Sequence, residues 1–167
     1  MKNFYMKQKV FSFRDRYKVM DQDQNVLYHC EGKLFSISRR MKFVETSTDN
    51  VLFNFRRKIL SFLAKYYLTD PEGNEVAVVK RKFSILKPKV EIESQLGNLT
   101  LEGDYFAHNF TLFEDGLELA NVQKKWISWG DSYVISIQDE KRTHFLLAII
   151  ILIDSIFHEN NSNRNNR

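Results

Sequence analysis

The chain has little of what staples or punctuates a protein. It holds one cysteine, Cys30, so no internal disulfide can form, and a lone thiol suits a reducing, cytoplasmic setting. Two prolines, Pro71 and Pro88, leave little material for a proline-rich linker. The six glycines are scattered among turn-like stretches and build no phosphate-cradling loop. No Gly-x-Ser-x-Gly elbow is present, so serine-hydrolase chemistry lacks its local signal. The four histidines, His29, His108, His144 and His158, lie far apart without His-Glu-x-x-His spacing, and no metal site or cofactor is expected. Met1-Lys2-Asn3-Phe4-Tyr5-Met6-Lys7 has charge but no apolar run behind it, so it does not read as a signal peptide. A large excess of one charge is missing too. Lys and Arg total 25 against 21 Asp and Glu, a net charge of +4 that permits contact with anionic surfaces but is met by any solvated Lys/Arg surface.

Long hydrophobic runs are almost absent, and the single exception organises the chain. It is Phe145-Leu146-Leu147-Ala148-Ile149-Ile150-Ile151-Leu152-Ile153-Asp154-Ser155-Ile156-Phe157. A bilayer crossing needs about 20 apolar residues, and shorter runs are more often core helices. Asp154 inside the run is costly at a bilayer centre. With no Gly or Pro, a helix runs through it unbroken. Leu146, Ile149, Ile150, Ile153 and Phe157 cover one side, and Leu147, Ile151 and Leu152 cover the rest. A helix apolar all round is buried all round. The expectation is a core helix over about 144–158, not a membrane anchor, with Thr143 or Asp139 as its N-cap. Asp154 then requires a hydrogen-bonding partner inside the core. Residues 159–167, rich in Asn and Arg, read as a disordered polar tail after one domain spanning 1–158.

Upstream of that helix everything reads as short strands. The 14 Phe and 7 Tyr favour them. A lysine-marked unit recurs: Lys9-Val10-Phe11-Ser12, Lys33-Leu34-Phe35-Ser36, Lys58-Ile59-Leu60-Ser61, a shortened Lys82-Phe83-Ser84, and Lys125-Trp126-Ile127-Ser128. The lysines are 24, 25, 24 and 43 residues apart. Eight residues beyond each comes Tyr17, Met41, Tyr66, Val90 or Tyr133, in a new strand-like stretch. Turn chemistry separates the stretches: Asp21-Gln22-Asp23-Gln24-Asn25, Asp49-Asn50, Asp70-Pro71-Glu72-Gly73-Asn74 and Glu114-Asp115-Gly116. Given strands of 5–6 residues, the period is expected to hold about three strands. The long gap after Lys82 holds more: Val90-Glu91-Ile92-Glu93 and, between Gly97 and Gly103, Asn98-Leu99-Thr100-Leu101-Glu102. A dozen short antiparallel strands hide their edges best by closing. A barrel that wide leaves a lumen, which the apolar helix fills.

These units, together with Lys124-Lys125-Trp126-Ile127-Ser128-Trp129-Gly130-Asp131-Ser132-Tyr133 and the closing Ile153-Asp154-Ser155-Ile156, resemble the LURP-one-related family in its bacterial, YxjI-like form. The resemblance covers roughly Phe4 to Phe157. It implies the Tubby C-terminal-like fold: mainly β, a closed antiparallel barrel of about twelve strands around a central C-terminal hydrophobic helix. It implies no activity, because fold does not imply function. Tubby relatives bind phosphoinositide headgroups and the more distant phospholipid scramblases act at membranes. None of their binding residues is carried over, since none matches position by position.

The remaining chemistry is sparse. Cys30 reads as a core residue and His108 as a structural histidine. Glu91 and Glu93 share a strand face, which is more often a solvated face than a catalytic pair. The basic clusters carry functional colour: Arg39-Arg40, Arg56-Arg57-Lys58, Lys124-Lys125, and the densest, Lys80-Arg81-Lys82 with Lys87 and Lys89. A soluble barrel exterior explains such clusters without any ligand. The sharper reading makes Lys80, Arg81, Lys82, Lys87 and Lys89 a patch for anionic headgroups. Acidic residues are interspersed and no recognition module is visible, so nucleic acid is not an expected partner. The expectation is a non-enzymatic Tubby-like binding or scaffold domain, its partner another protein or an anionic phospholipid. The alternatives are a peripheral membrane protein that recognises anionic headgroups through its basic outer patch, and, weakest, a small-molecule enzyme.

Overall fold

The computed structural model describes residues 1–8, 15–33, 40–60, 63–82, 89–104, 107–127 and 130–162. Twelve strands follow one another: β1 (Lys2–Gln8), β2 (Asp15–Met20), β3 (Val26–Lys33), β4 (Arg40–Glu45), β5 (Val51–Leu60), β6 (Leu63–Thr69), β7 (Glu75–Lys82), β8 (Lys89–Ser94), β9 (Leu99–Asp104), β10 (Asn109–Glu114), β11 (Leu117–Ile127) and β12 (Gly130–Ile137). Each pairs antiparallel with its neighbour in sequence, and β1 pairs with β12 from Lys2↔Ile137 to Met6↔Tyr133, closing the barrel. A 3-10 turn, Glu140–Arg142, leads into α1 (Thr143–Ser162). The fold class read from the sequence is therefore the fold observed.

Every described side chain of α1 from Phe145 to Phe157 is at most 4% exposed. Around it stand inward residues of the strands, among them Phe4, Met6, Tyr17, Phe43, Phe55, Leu68, Leu112 and Ile135. In a strand only alternate residues face inward, so each one supplies a few apolar contacts. The helix supplies apolar surface all round, which is why one run suffices to fill the lumen. Among the described residues, no helix is long and apolar enough to cross a membrane. The helix continues through Ser162, so Glu159 to Ser162 are helical rather than part of an irregular tail. Once a helix is nucleated, each added residue gains a hydrogen bond, which carries it past the last apolar position.

The lysine period holds two strands rather than three. A unit ends one strand, crosses to the next and returns through a tight turn. Tyr17, Met41, Tyr66, Val90 and Tyr133 accordingly fall on β2, β4, β6, β8 and β12, and all but half-buried Val90 are buried. Strands of up to 11 residues account for the difference. The 43-residue gap spans β8 to β11, whose intervening connection, after Asp104, has no lysine. Residues 9–14, 34–39, 61–62, 83–88 and 128–129, which include part of each of the five units, lie outside the described residues. Gly103 falls inside β9 rather than bounding it. Its φ is +113°, and a Cβ there would meet the Asn109 carbonyl oxygen at 2.5 Å.

Two turns repeat in detail. Asp21 Oδ1 accepts from the backbone N–H of Asn25, and Asn25 Nδ2 donates to Asp21 Oδ2; Asp70 and Asn74 do the same. The left-handed position of these turns is Gln24 in one and Gly73 in the other. At the same end of the barrel, Arg142 fastens the entry to α1. Its guanidinium donates to both Glu114 oxygens at 2.9 and 2.8 Å, to Asp139 Oδ2 at 2.6 Å and to the Leu96 carbonyl at 3.2 Å. Asp139 caps the 3-10 turn by accepting from the Lys141 N–H, whereas Thr143 donates its hydroxyl to the Glu140 carbonyl.

The Arg142 hydrogen bonds hold the Glu114 and Asp139 carboxyls below their ordinary values. A depressed folded pKa contributes stability that is present above the unfolded value and lost as pH falls through the folded one. The relevant unfolded values are near 4.5 for Glu114 and 3.8 for Asp139. Melting temperature should therefore fall with pH below this range, and Glu114→Gln with Asp139→Asn should flatten that slope. An unchanged slope in the double variant would show that the clamp does not control acid stability.

Candidate functional site

Antiparallel closure sorts the chain's charges by barrel end. The tight turns and the helix entry lie at one end, which carries Asp21, Asp23, Glu45, Asp49, Asp70, Glu72, Glu75, Glu114, Asp115, Glu118, Asp139 and Glu140 against Lys2, Lys141 and Arg142. At the opposite end meet the pairs Lys33↔Arg40, Leu60↔Leu63, Lys82↔Lys89 and Ile127↔Gly130. From β3 round to β8, the strand halves at that end are mainly basic, with Glu31 and Glu91 as the acidic exceptions.

Register sharpens this into a ladder. Lys33 stands opposite Arg40, Arg40 opposite Arg56, Lys58 opposite Lys65, Lys65 opposite Lys80, and Lys82 opposite Lys89. Like charges directly opposite across a sheet are destabilising. Two opposite-sign pairs, Glu31↔Lys42 and Lys80↔Glu91, relieve part of the ladder. Arg40, Lys42, Asn54, Arg56, Thr69 and Gly73, with Met41 and Phe55, line a cleft of about 350 Å³ on the wall. Arg56 lies over the Tyr67 ring, 5.1 Å from its centroid, so its guanidinium is steered along the sheet.

The residues singled out from sequence divide. Lys80 is half-buried, with its ammonium on the Glu93 carboxylate of β8, an interaction that raises its pKa. Lys82 shares a cross-strand pair with Lys89, while Arg81 pairs in register with Val90. Lys87, and the side chains of Arg81, Lys82 and Lys89, lie outside what the structure describes. Arg40 and Arg56 belong to basic runs visible in sequence, but their pairing depends on register. Lys65 stands alone in sequence and carried no signal.

The requirement set by Asp154 is met in the core. Tyr17 donates its hydroxyl to Asp154 Oδ2 at 2.8 Å, and Ser155 donates to the Tyr17 oxygen at 3.0 Å. His108 Nδ1 lies 2.8 Å from Asp154 Oδ1. On its other side His108 Nε2 is 3.3 Å from the Tyr133 hydroxyl, with the two rings 4.1 Å apart. His108, Asp154 and Ser155 are each at most 4% exposed and Tyr17 is fully covered, so this cluster ties α1 to three parts of the wall away from solvent. His108 is structural, as expected. Cys30 is fully buried, and burial pushes its thiol up, which disfavours the nucleophilic thiolate. His29, Glu31 and Asp49 bring one ligand atom each within 4.8 Å of one another. Both carboxylates are exposed, and nothing further marks the trio as a metal site.

Comparison with known proteins agrees with this architecture. A solved structure of an Arabidopsis thaliana protein superposes with a TM-score of 0.63, covering 93% of this chain and 91% of that one, at 12% identity, which is likeness of fold alone. The uncharacterized protein YxjI of Bacillus subtilis (strain 168) is 32% identical over 158 residues, 95% of each chain. The model of the LURP-one-related family matches residues 2–154. Those matches run through the strand repeat and into the core helix, and on them the chain belongs to the LURP-one-related family.

Proposed function

We propose that this chain is a non-enzymatic binding domain that holds an anionic surface, the headgroups of an acidic lipid bilayer, against the basic ladder of β3 to β8. The observation that carries the reading is the run of like-charge pairs from Lys33↔Arg40 to Lys82↔Lys89. Such pairing works against the fold, and a bound anion would offset it. Each basic residue near an anionic membrane contributes on the order of 1 kcal/mol. Binding rather than catalysis is supported by the filled lumen and by the burial of the Asp154 cluster. Lys80, with Lys82 and Lys89 set opposite one another in register, marks one flank of this surface, and Arg40, Lys42, Arg56 and Lys65 mark the other.

Co-sedimentation with vesicles tests the reading. The wild type should pellet with phosphatidylglycerol vesicles at low salt, less so as salt rises, and not with phosphatidylcholine alone. Replacing Arg40, Arg56 and Lys65 by Gln should weaken binding roughly a hundredfold. Replacing Lys80, Arg81 and Lys82 by Gln weighs the other flank. A wild type that ignores acidic vesicles at low salt removes the lipid reading.

A further inference from the structure

The barrel wall is not closed evenly. Among the described residues, strands β8 and β9 share one registered pair, Ile92↔Leu99. All other neighbouring strands share at least four pairs. Continuing the antiparallel register would set Val90 against Leu101, a pair that the two strands do not form. On their outer sides both are fully paired, β8 with β7 from Ala77↔Ser94 to Lys82↔Lys89 and β9 with β10 from Asn109↔Asp104 to Glu114↔Leu99. The seam is thus a stretch of missing ladder pairing flanked by two strands that are each paired on their other side.

Its lining has a definite pattern. On the inner side, Val90 and Leu101 are half-buried against the core cluster. On the outer side, Thr100, Glu102 and Asp104 of β9 are exposed, and β8 contributes Glu91 and Glu93. Lys80 on β7 already engages Glu93. The seam is therefore acidic outside and apolar within, next to the basic strand halves of β3 to β8.

We propose that this seam accepts an extended segment of a partner protein as an added strand. A strand entering a sheet edge gains main-chain hydrogen bonds, and its alternate side chains then select the sequence. The occupant fitted by this lining alternates apolar and basic residues. Its apolar side chains turn in on Val90 and Leu101, and its basic ones turn out toward Glu102 and Asp104. The site is opposite in charge to the basic ladder and shares only β8 with it, and its peptide test reads Thr100 and Glu102 of β9, which the vesicle test does not touch.

The test uses the full chain and two labelled synthetic peptides of equal composition. One alternates valine and lysine over seven residues; the other carries the same residues as a valine block followed by a lysine block. Fluorescence anisotropy should show saturable binding of the alternating peptide and at least about tenfold weaker binding of the block peptide, a gap of about 1.4 kcal/mol. Thr100→Lys with Glu102→Lys changes two exposed positions, so the fold should persist by circular dichroism while binding of the alternating peptide falls by a similar factor. On binding, amide exchange should slow across residues 89–91 and 100–104 and not at the acidic turns. Equal binding of both peptides, no effect of the double variant, or protection confined to the turns would each overturn the proposal.

Discussion

Ile150→Asp is expected to leave the protein largely unfolded. Ile150 has no exposed surface, and its neighbours Ile149, Ile151 and Leu152 have none either, so no rotation of α1 brings position 150 to water. The variant loses the burial of a large aliphatic side chain, which alone costs about 2–5 kcal/mol when Ile is truncated. It then buries a carboxyl with no partner, adding about 1–3 kcal/mol for the neutral acid and more for the charged form. Typical total stability is only about 5–15 kcal/mol. Ile150→Val removes one methylene and should cost about 0.5–1.5 kcal/mol while keeping the fold. Circular dichroism and limited proteolysis of both variants settle the matter. A soluble, protease-resistant Ile150→Asp protein with native spectra would refute the central role of the helix.

The second large effect concerns the aspartate that the same helix does tolerate. Asp154→Ala should destabilise by about 2–5 kcal/mol, because it takes a hydrogen-bonding partner from two buried side chains and leaves a void in the core. Here they are the Tyr17 hydroxyl, which donates to Asp154 Oδ2, and His108, whose Nδ1 lies beside Oδ1. Tyr17→Phe should cost about 1–3 kcal/mol in the wild type, since it leaves a buried carboxylate short of a donor. In the Asp154→Ala background the same change should cost much less, because the hydroxyl no longer has that acceptor. The coupling between the two should fall in the 0.5–3 kcal/mol range of groups in direct contact. Urea unfolding of the four proteins measures it. Strict additivity would mean that Tyr17 and Asp154 do not act together.

These two predictions differ in how they arise. The Ile150 result follows from the run itself, since the absence of a polar stripe between Phe145 and Phe157 already states that no face of the helix meets water. Asp154 could be seen to need a partner, but Tyr17 lies 137 residues away, and nothing local names it. His108 read as structural, yet its contact with Asp154 depends on α1 rising through the lumen until its last apolar turns stand beside β2 and the connection into β10. The basic patch shows the same division. Runs such as Lys80-Arg81-Lys82 are visible along the chain, whereas Arg40↔Arg56 and Lys65↔Lys80 exist only once strands are in register. Lys80 itself, the centre of the patch read from sequence, proves to be engaged by Glu93 across β7 and β8.

By itself, then, the sequence determined what residues near one another in the chain control. The two-residue alternation of the strands, the Asp-to-Asn turns, the unbroken apolar helix and its burial all depend on local periodicity and side-chain chemistry. The tertiary structure decided what strand register and closure control. That includes two strands per lysine period, acidic turns gathered at one end, the cross-strand ladder of like charges, the Tyr17 and His108 partners of Asp154, and the seam at Ile92↔Leu99. The physical reason is that a strand's faces follow from its own alternation, while the residue opposite each position follows from how twelve strands share one closed circuit.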